Sequence, residues 1–150
     1  DLRRMGALGV RASVQPAHLL DDRDLTERVW RDRAHLAFPL RSMLLAGVEL
    51  RFGSDAPVAE LNPWLAIATA VHRSGDDRAG WHPEQSLTVR ESLAASVDGR
   101  RLAVGAPGDV VLLDENPLAA TDDPSVTAAR LRGFRSALTL CDGRITHRAL

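Results

Sequence analysis

Lysine is missing altogether: all nineteen basic residues of this chain are arginine. No Schiff base, P-loop lysine or carbamylated lysine can therefore come from it. Cys141 is the only cysteine, which excludes an intrachain disulfide and a thiolate metal cluster and fits a reducing, cytoplasmic setting. No apolar run has the length of a membrane span, and Asp1-Leu2-Arg3-Arg4-Met5 lacks the apolar core of a signal peptide, so no membrane partner is expected. Net charge is missing too. The formal value is -1, and the arginines are scattered without a basic block, so the footprint of a nucleic-acid partner is absent. The chain opens on Asp1, in what reads as the middle of a helix, and is expected to begin inside a longer protein. Processing or a cloning boundary would look the same.

What is present fits one soluble globular unit: 150 residues, 45% hydrophobic and 26% charged. The N-terminal stretch to Leu8 reads as helix, with Gly9 as its C-cap. A short strand, Val10 to Gln15, follows and ends in the polar cluster up to His18. Leu25, Val29 and Trp30 at helical spacing predict a surface helix over 24–33. Pro39 is a good first residue for the next helix, which runs to Ala46 and is stopped by Gly47. A second strand, Glu49 to Gly53, leads into Ser54-Asp55-Ala56-Pro57. Strand, helix, strand in that order makes parallel neighbours, which brings His18 and Asp55 to the same edge of a sheet.

Further along, Asn62-Pro63 starts a helix that carries Trp64, Leu65, Ile67, Ala68 and Val71 on a broad apolar face and runs to His72. Thr88-Val89-Arg90-Glu91 is a capping box opening a helix to Ser96. The texture changes near residue 100. A turn-rich link, 102–109, leads to the β-prone run Val110-Val111-Leu112-Leu113, and Asp142-Gly143 between 136–140 and 144–148 predicts a hairpin. The chain thus divides into an α/β part, 1–100, and a small β part, 101–150.

Asp55 is the leading candidate for chemistry, since a carboxylate at the C-terminal end of a parallel strand stands where α/β barrels do their work. The rival reading is that it caps its own turn. His18 could face the same mouth and donate to a substrate carbonyl, or could hydrogen-bond within the Gln15-Pro16 turn. His35, His72, His82 and His147 show no ligand-pair spacing. Arg41 is expected to pair with a carboxylate inside the protein. Trp64 and Trp81 read as packing residues, and Asp21-Asp22 and Asp76-Asp77 as solvated loop charges too poor in oxygen ligands for a cation site.

Taken in order, Ser13-Val14-Gln15-Pro16-Ala17-His18, Phe38-Pro39-Leu40-Arg41-Ser42, Phe52-Gly53-Ser54-Asp55-Ala56-Pro57-Val58, Asn62-Pro63-Trp64 and Ala70-Val71-His72-Arg73 resemble the C-terminal half of metal-dependent amidohydrolases, in the branch that includes N-substituted formamide deformylase. The run Gly105 to Asp114, followed by Asn116-Pro117-Leu118, resembles that family's return into its small β-sandwich. The resemblance implies an α/β fold: the last two strands of a (β/α)8 TIM-like barrel over 1–100, and strands of a composite β-sandwich over 101–150. It also implies a divalent metal, zinc, as one or two ions. The metal would activate water against the non-peptide C–N bond of a small amide-type substrate. Asp55 matches the acid that approaches the metal and acts as general base, and His18 falls where substrate is contacted. Family members commonly carry Ala where Gly108 stands.

The departures are as informative. The first-strand His-x-His pair and the histidines of the fifth and sixth strands are absent, and a catalytic zinc normally needs about three protein ligands. A closed barrel takes roughly 250 residues. The expected partner is therefore the missing N-terminal half of the barrel, without which the 150-residue chain would be inactive. Open sheet edges would also favour a homo-oligomer. The alternative is a non-catalytic remnant acting as a subunit or interaction module.

Overall fold

The computed structural model describes residues 1–119 and 121–149. The chain starts with helix α1 (Leu2–Ala7), and Gly9 turns it with a positive φ of 64°. Strand β1 (Arg11–Val14) then runs into a 3-10 turn at Pro16–His18 and helix α2 (Leu19–Val29). A second 3-10 turn at Ala34–Leu36 precedes α3 (Leu40–Leu45) and strand β2 (Glu49–Phe52). The two strands pair in parallel, Arg11 opposite Glu49 and Val14 opposite Phe52, as the strand-helix-strand order requires.

The pair has two unlike faces. Ala12, Val14, Leu50 and Phe52 pack with Leu40, Ala70, Leu87 and Ala95 into one apolar cluster. The alternate positions Arg11, Ser13, Glu49 and Arg51 stand on the opposite face, where Arg51 pairs with Glu49 and with Asp98 at 3.2 Å. Parallel sheets are ordinarily covered on both sides, so this polar open face is unusual for the class.

Helix α2 begins earlier than its apolar spacing predicts. Asp21 and Asp22 occupy its first turn, where carboxylates favour the positive end of the helix dipole. Leu19 is 1% exposed against Ala34 and Trp81, whereas the Leu25, Val29 and Trp30 that suggested the later helix are all exposed. Burial of Leu19 sets the start, and the helix stops at Trp30 rather than Arg33.

Helix α4 (Pro63–His72) follows its N-cap, Asn62, whose side chain accepts from the Trp64 amide at 3.0 Å. Helix α5 (Val89–Ser96) has the full capping box, with Thr88 and Glu91 each bonded to the other's backbone amide. Strand β3 (Val110–Leu113) is followed by a helix that the reading above did not anticipate, α6 (Pro124–Arg132). Its signal is the one that marks α4: Asp123 before proline, with its carboxylate accepting from the Ser125 amide at 2.7 Å. Strands β4 (Ser136–Cys141) and β5 (Arg144–Arg148) form the hairpin at Asp142-Gly143, and with β3 they make an antiparallel sheet in the order β3-β4-β5.

The largest apolar cluster joins Ile67, Ala68, Val71 and Val89 to Ala128, Leu131 and Phe134. It seats α6 on α4 and links residues from either side of position 100. At Gly108, the carbonyl accepts from Gly143 N at 2.9 Å, and a Cβ there would lie 2.6 Å from that same nitrogen. Alanine at 108, an innocuous change by family resemblance, would push the hairpin away in this chain. No helix among the described residues is long and apolar enough to cross a membrane.

Candidate functional site

Strand β2 ends at Phe52, and Gly53 N still donates to Val14 O at 3.0 Å, so the sheet is held up to the point where the chain turns away. Ser54 then supplies the capping oxygen: its Oγ accepts from Ala56 N at 3.2 Å. Asp55 is exposed, sits at φ 55°, and closes the turn through its carbonyl, which accepts from Val58 N at 2.9 Å. Its carboxylate receives no hydrogen bond among the described residues. The capping role that competed with a chemical one is filled by its neighbour, which leaves the acid projecting from the strand end. Asn62 and Pro63 wall the adjoining crevice together with Phe52, Gly53, Ser54 and Leu61.

His18 closes the turn that follows β1. Its backbone amide donates to Gln15 O at 3.2 Å, so the turn is closed by main chain rather than by the imidazole. The ring is half-buried, and its Nε2 is enclosed without a partner among the described residues. Because β1 and β2 are parallel and in register, His18 and Asp55 both follow C-terminal strand ends on one edge of the sheet.

The other candidates have structural partners. Arg41 forms a two-pronged pair with Glu91, Nη1 to Oε1 at 2.6 Å and Nη2 to Oε2 at 2.8 Å, and it also donates to Ser86 O. The guanidinium, followed by the capping-box hydrogen bonds from Thr88, holds the Glu91 carboxyl down at about 2. Trp64 lies 4.8 Å from Phe134 between ring centroids, and the buried Trp81 donates Nε1 to Glu27 at 2.7 Å. Asp76 binds Ser74 and Arg78 within its own loop, and Arg78 reaches Asp24 at 2.6 Å, fastening that loop to α2. His72 is held below the usual imidazole range by burial and by Arg132. Among the described residues, no three His, Cys, Asp or Glu side chains gather as a metal-ligand set.

One residue that the sequence reading quotes only as the end of the Ala70-Val71-His72-Arg73 motif has a structural role of its own. Arg73, in the left-handed region at φ 61°, ends α4 with no exposed surface. Its Nε donates to Trp81 O at 2.6 Å and its Nη1 to Phe38 O at 3.1 Å, tying two loops to the helix end. Burial lowers its pKa to about 10, so it remains a cation at neutral pH. The signal was its spacing: Arg73 follows Ala66 and Ala70 by seven and three residues, in line with the small apolar residues of α4.

Comparison with known proteins agrees with this architecture. The model of the amidohydrolase family matches residues 1–147, and the chain belongs to that family. It is 29% identical to the N-substituted formamide deformylase of Arthrobacter pascens, over 94% of this chain and 27% of that protein. It is 25% identical to the putative amidohydrolase YtcJ of Bacillus subtilis, over 97% of this chain and 29% of the relative. Protein LONG AFTER FAR-RED 3 of Arabidopsis thaliana is 40% identical over 61% of this chain and 16% of its own length. The chain therefore spans less than a third of each of these relatives. Among solved structures, an uncharacterized metal-dependent hydrolase from Pyrococcus horikoshii superposes with a TM-score of 0.54 at 30% identity, covering 63% of this chain and 20% of that one.

Proposed function

We propose that the chain is the C-terminal portion of a metal-dependent amidohydrolase, to which it contributes Asp55 and part of the pocket wall. In this reading β1 and β2 are the last two strands of a (β/α)8 barrel formed mainly by 1–100. The segment 101–150 adds strands to a companion β-sandwich. The carrying observation is the freed carboxylate of Asp55: it stands at the C-terminal end of a parallel strand while Ser54 does the capping. The substrate class is a small molecule with a non-peptide amide-type C–N bond, a reading supported by likeness to the formamide deformylase.

One carboxylate does not hold a catalytic zinc, which takes about three protein ligands. The donors of this chain do not fit a complete site, so the ion and the first attack on the carbonyl are left to residues beyond it. What this chain's own groups would do is narrower. Asp55 would be one ligand and the base that takes a proton from the attacking water and returns it to the leaving nitrogen. His18 would donate to the substrate carbonyl.

The complete reading frame tests this. It should bind about one or two divalent ions and hydrolyse N-substituted amides or formamides, with activity lost to a chelator. Asp55→Asn should lower turnover by about 10²–10⁴-fold. Full activity in that variant would remove Asp55 from the chemistry, and a reading frame without upstream His-x-His would favour the subunit or interaction-module reading.

A further inference from the structure

Helix α2 spends one side on its own chain. Leu19 is buried, Leu20 lies against Gly75, Arg23 donates to Ala79 O at 3.1 Å, and Glu27 accepts from Trp81 Nε1 at 2.7 Å. Residues 19, 23 and 27 are spaced by four, so they share that side. The opposite side is unpartnered among the described residues. Asp21, Leu25 and Arg28 follow one another at steps of four and three, and Asp22, Leu25 and Val29 at steps of three and four, so the five stand on one face. All five are exposed. Leu25 is 50% and Val29 61% exposed, and Trp30, the C-cap, adds an indole that is 59% exposed at the helix end.

The charges on this face are sorted along the helix axis. Asp21 and Asp22 stand at its N-terminal end and Arg28 at its C-terminal end, with the apolar Leu25 between them. None of the three charges has an ion-pair partner among the described residues, whereas Asp24, on the flank, is taken by Arg78. Such a face complements itself in one orientation. Laid antiparallel on the same helix of a second copy, with Leu25 against Leu25, it sets Asp22 of each copy opposite Arg28 of the other. Laid parallel, it sets acid on acid and arginine on arginine, which is costly. A lipid surface or a nucleic acid selects a basic face, and this one has its acids in excess.

We propose that the Leu25 face of α2 is the contact of a two-fold homodimer, in which the helix packs antiparallel on the α2 of a second copy. Leu25 lies at the axis, and an Asp22–Arg28 pair closes either side of it. A single helix of 11 residues makes a small interface, so the dimer is weak and concentration-dependent. The contact is separate from the open edges of β1 and β2, and the inference does not rest on the hydrolase reading.

The test is sedimentation velocity of the complete reading frame at low salt, from micromolar to millimolar concentration. The unaltered protein should pass from monomer to dimer over that range. Leu25→Ser, Asp22→Arg and Arg28→Asp should each raise the dissociation constant by about tenfold or more. All three positions are exposed, so the substitutions leave the core intact. An equal mixture of Asp22→Arg and Arg28→Asp should associate where neither does alone, because each reversed charge then meets its opposite, and both reversals in one chain should restore self-association. A protein that stays monomeric, whether another part of the reading frame covers α2 or the face remains in solvent, would overturn the proposal. So would a dimer indifferent to the single reversals, or a mixture that shows no recovery.

Discussion

Glu91 performs two tasks with one carboxylate: it closes the capping box of α5, and it grips Arg41 at the start of α3. Its carboxyl is depressed from 4.5 to about 2, so the native state favours the ionised form more than the unfolded chain does. The sign follows directly. The contribution is fully present above pH ~4.5, declines as pH falls toward 2, and is gone below both values. Urea unfolding of the native chain and of Glu91→Gln should therefore show a stability gap at pH 7 that narrows steadily between pH 4.5 and 2. A gap constant across that range would mean that the pair contributes nothing through its charge. The capping box was legible because its residues are neighbours in sequence. Arg41 was legible as an internal ion-pair partner but not as the partner of Glu91, a contact fifty residues away in the chain. Arg73, quoted only within a motif, was given no role for the same reason, since the carbonyls that accept from it belong to loops at Phe38 and Trp81.

At the scale of elements, local chemistry predicted most starts and stops, and tertiary burial decided the exceptions. Helices α4 and α5 start where their Asn-Pro and capping-box signals place them, while α3 starts one residue later than its proline signal, with Pro39 as N-cap and Ala46 as C-cap. Helix α2 shifts toward the N-terminus because Leu19 is buried, and the spacing of exposed apolar residues carries no information about that. Helix α6 was hidden among β-prone segments although Asp123-Pro124 repeats the start signal of Asn62-Pro63. Its dependence on that cap can be measured. Asp123→Ala should cost about 1 kcal/mol in urea unfolding, by removing the acceptor for the Ser125 amide. A change within 0.2 kcal/mol would show that α6 is held by Leu131 and Ala128 alone.

For the whole molecule, the sequence made the parallel pairing of β1 and β2 readable through the connection between them, and with it the shared edge of His18 and Asp55. The set of groups that would complete a site around Asp55 was not readable, because one acid without assembled partners has no geometry to inspect. Nor was the seating of α6 on α4, which depends on residues far apart in the chain meeting as one apolar cluster. The link over 97–107 is exposed throughout and contains Arg100 and Arg101. Trypsin should therefore nick it first, and the two pieces should stay together and elute as one species on size exclusion in the absence of denaturant. Separation without denaturant would mean that the shared cluster is too weak to hold them. The peptide bond between the halves then matters less than the apolar seam that bridges them: this is a molecule that could be cut in two and still behave as one, its C-terminal piece serving as a complementing fragment for its N-terminal one.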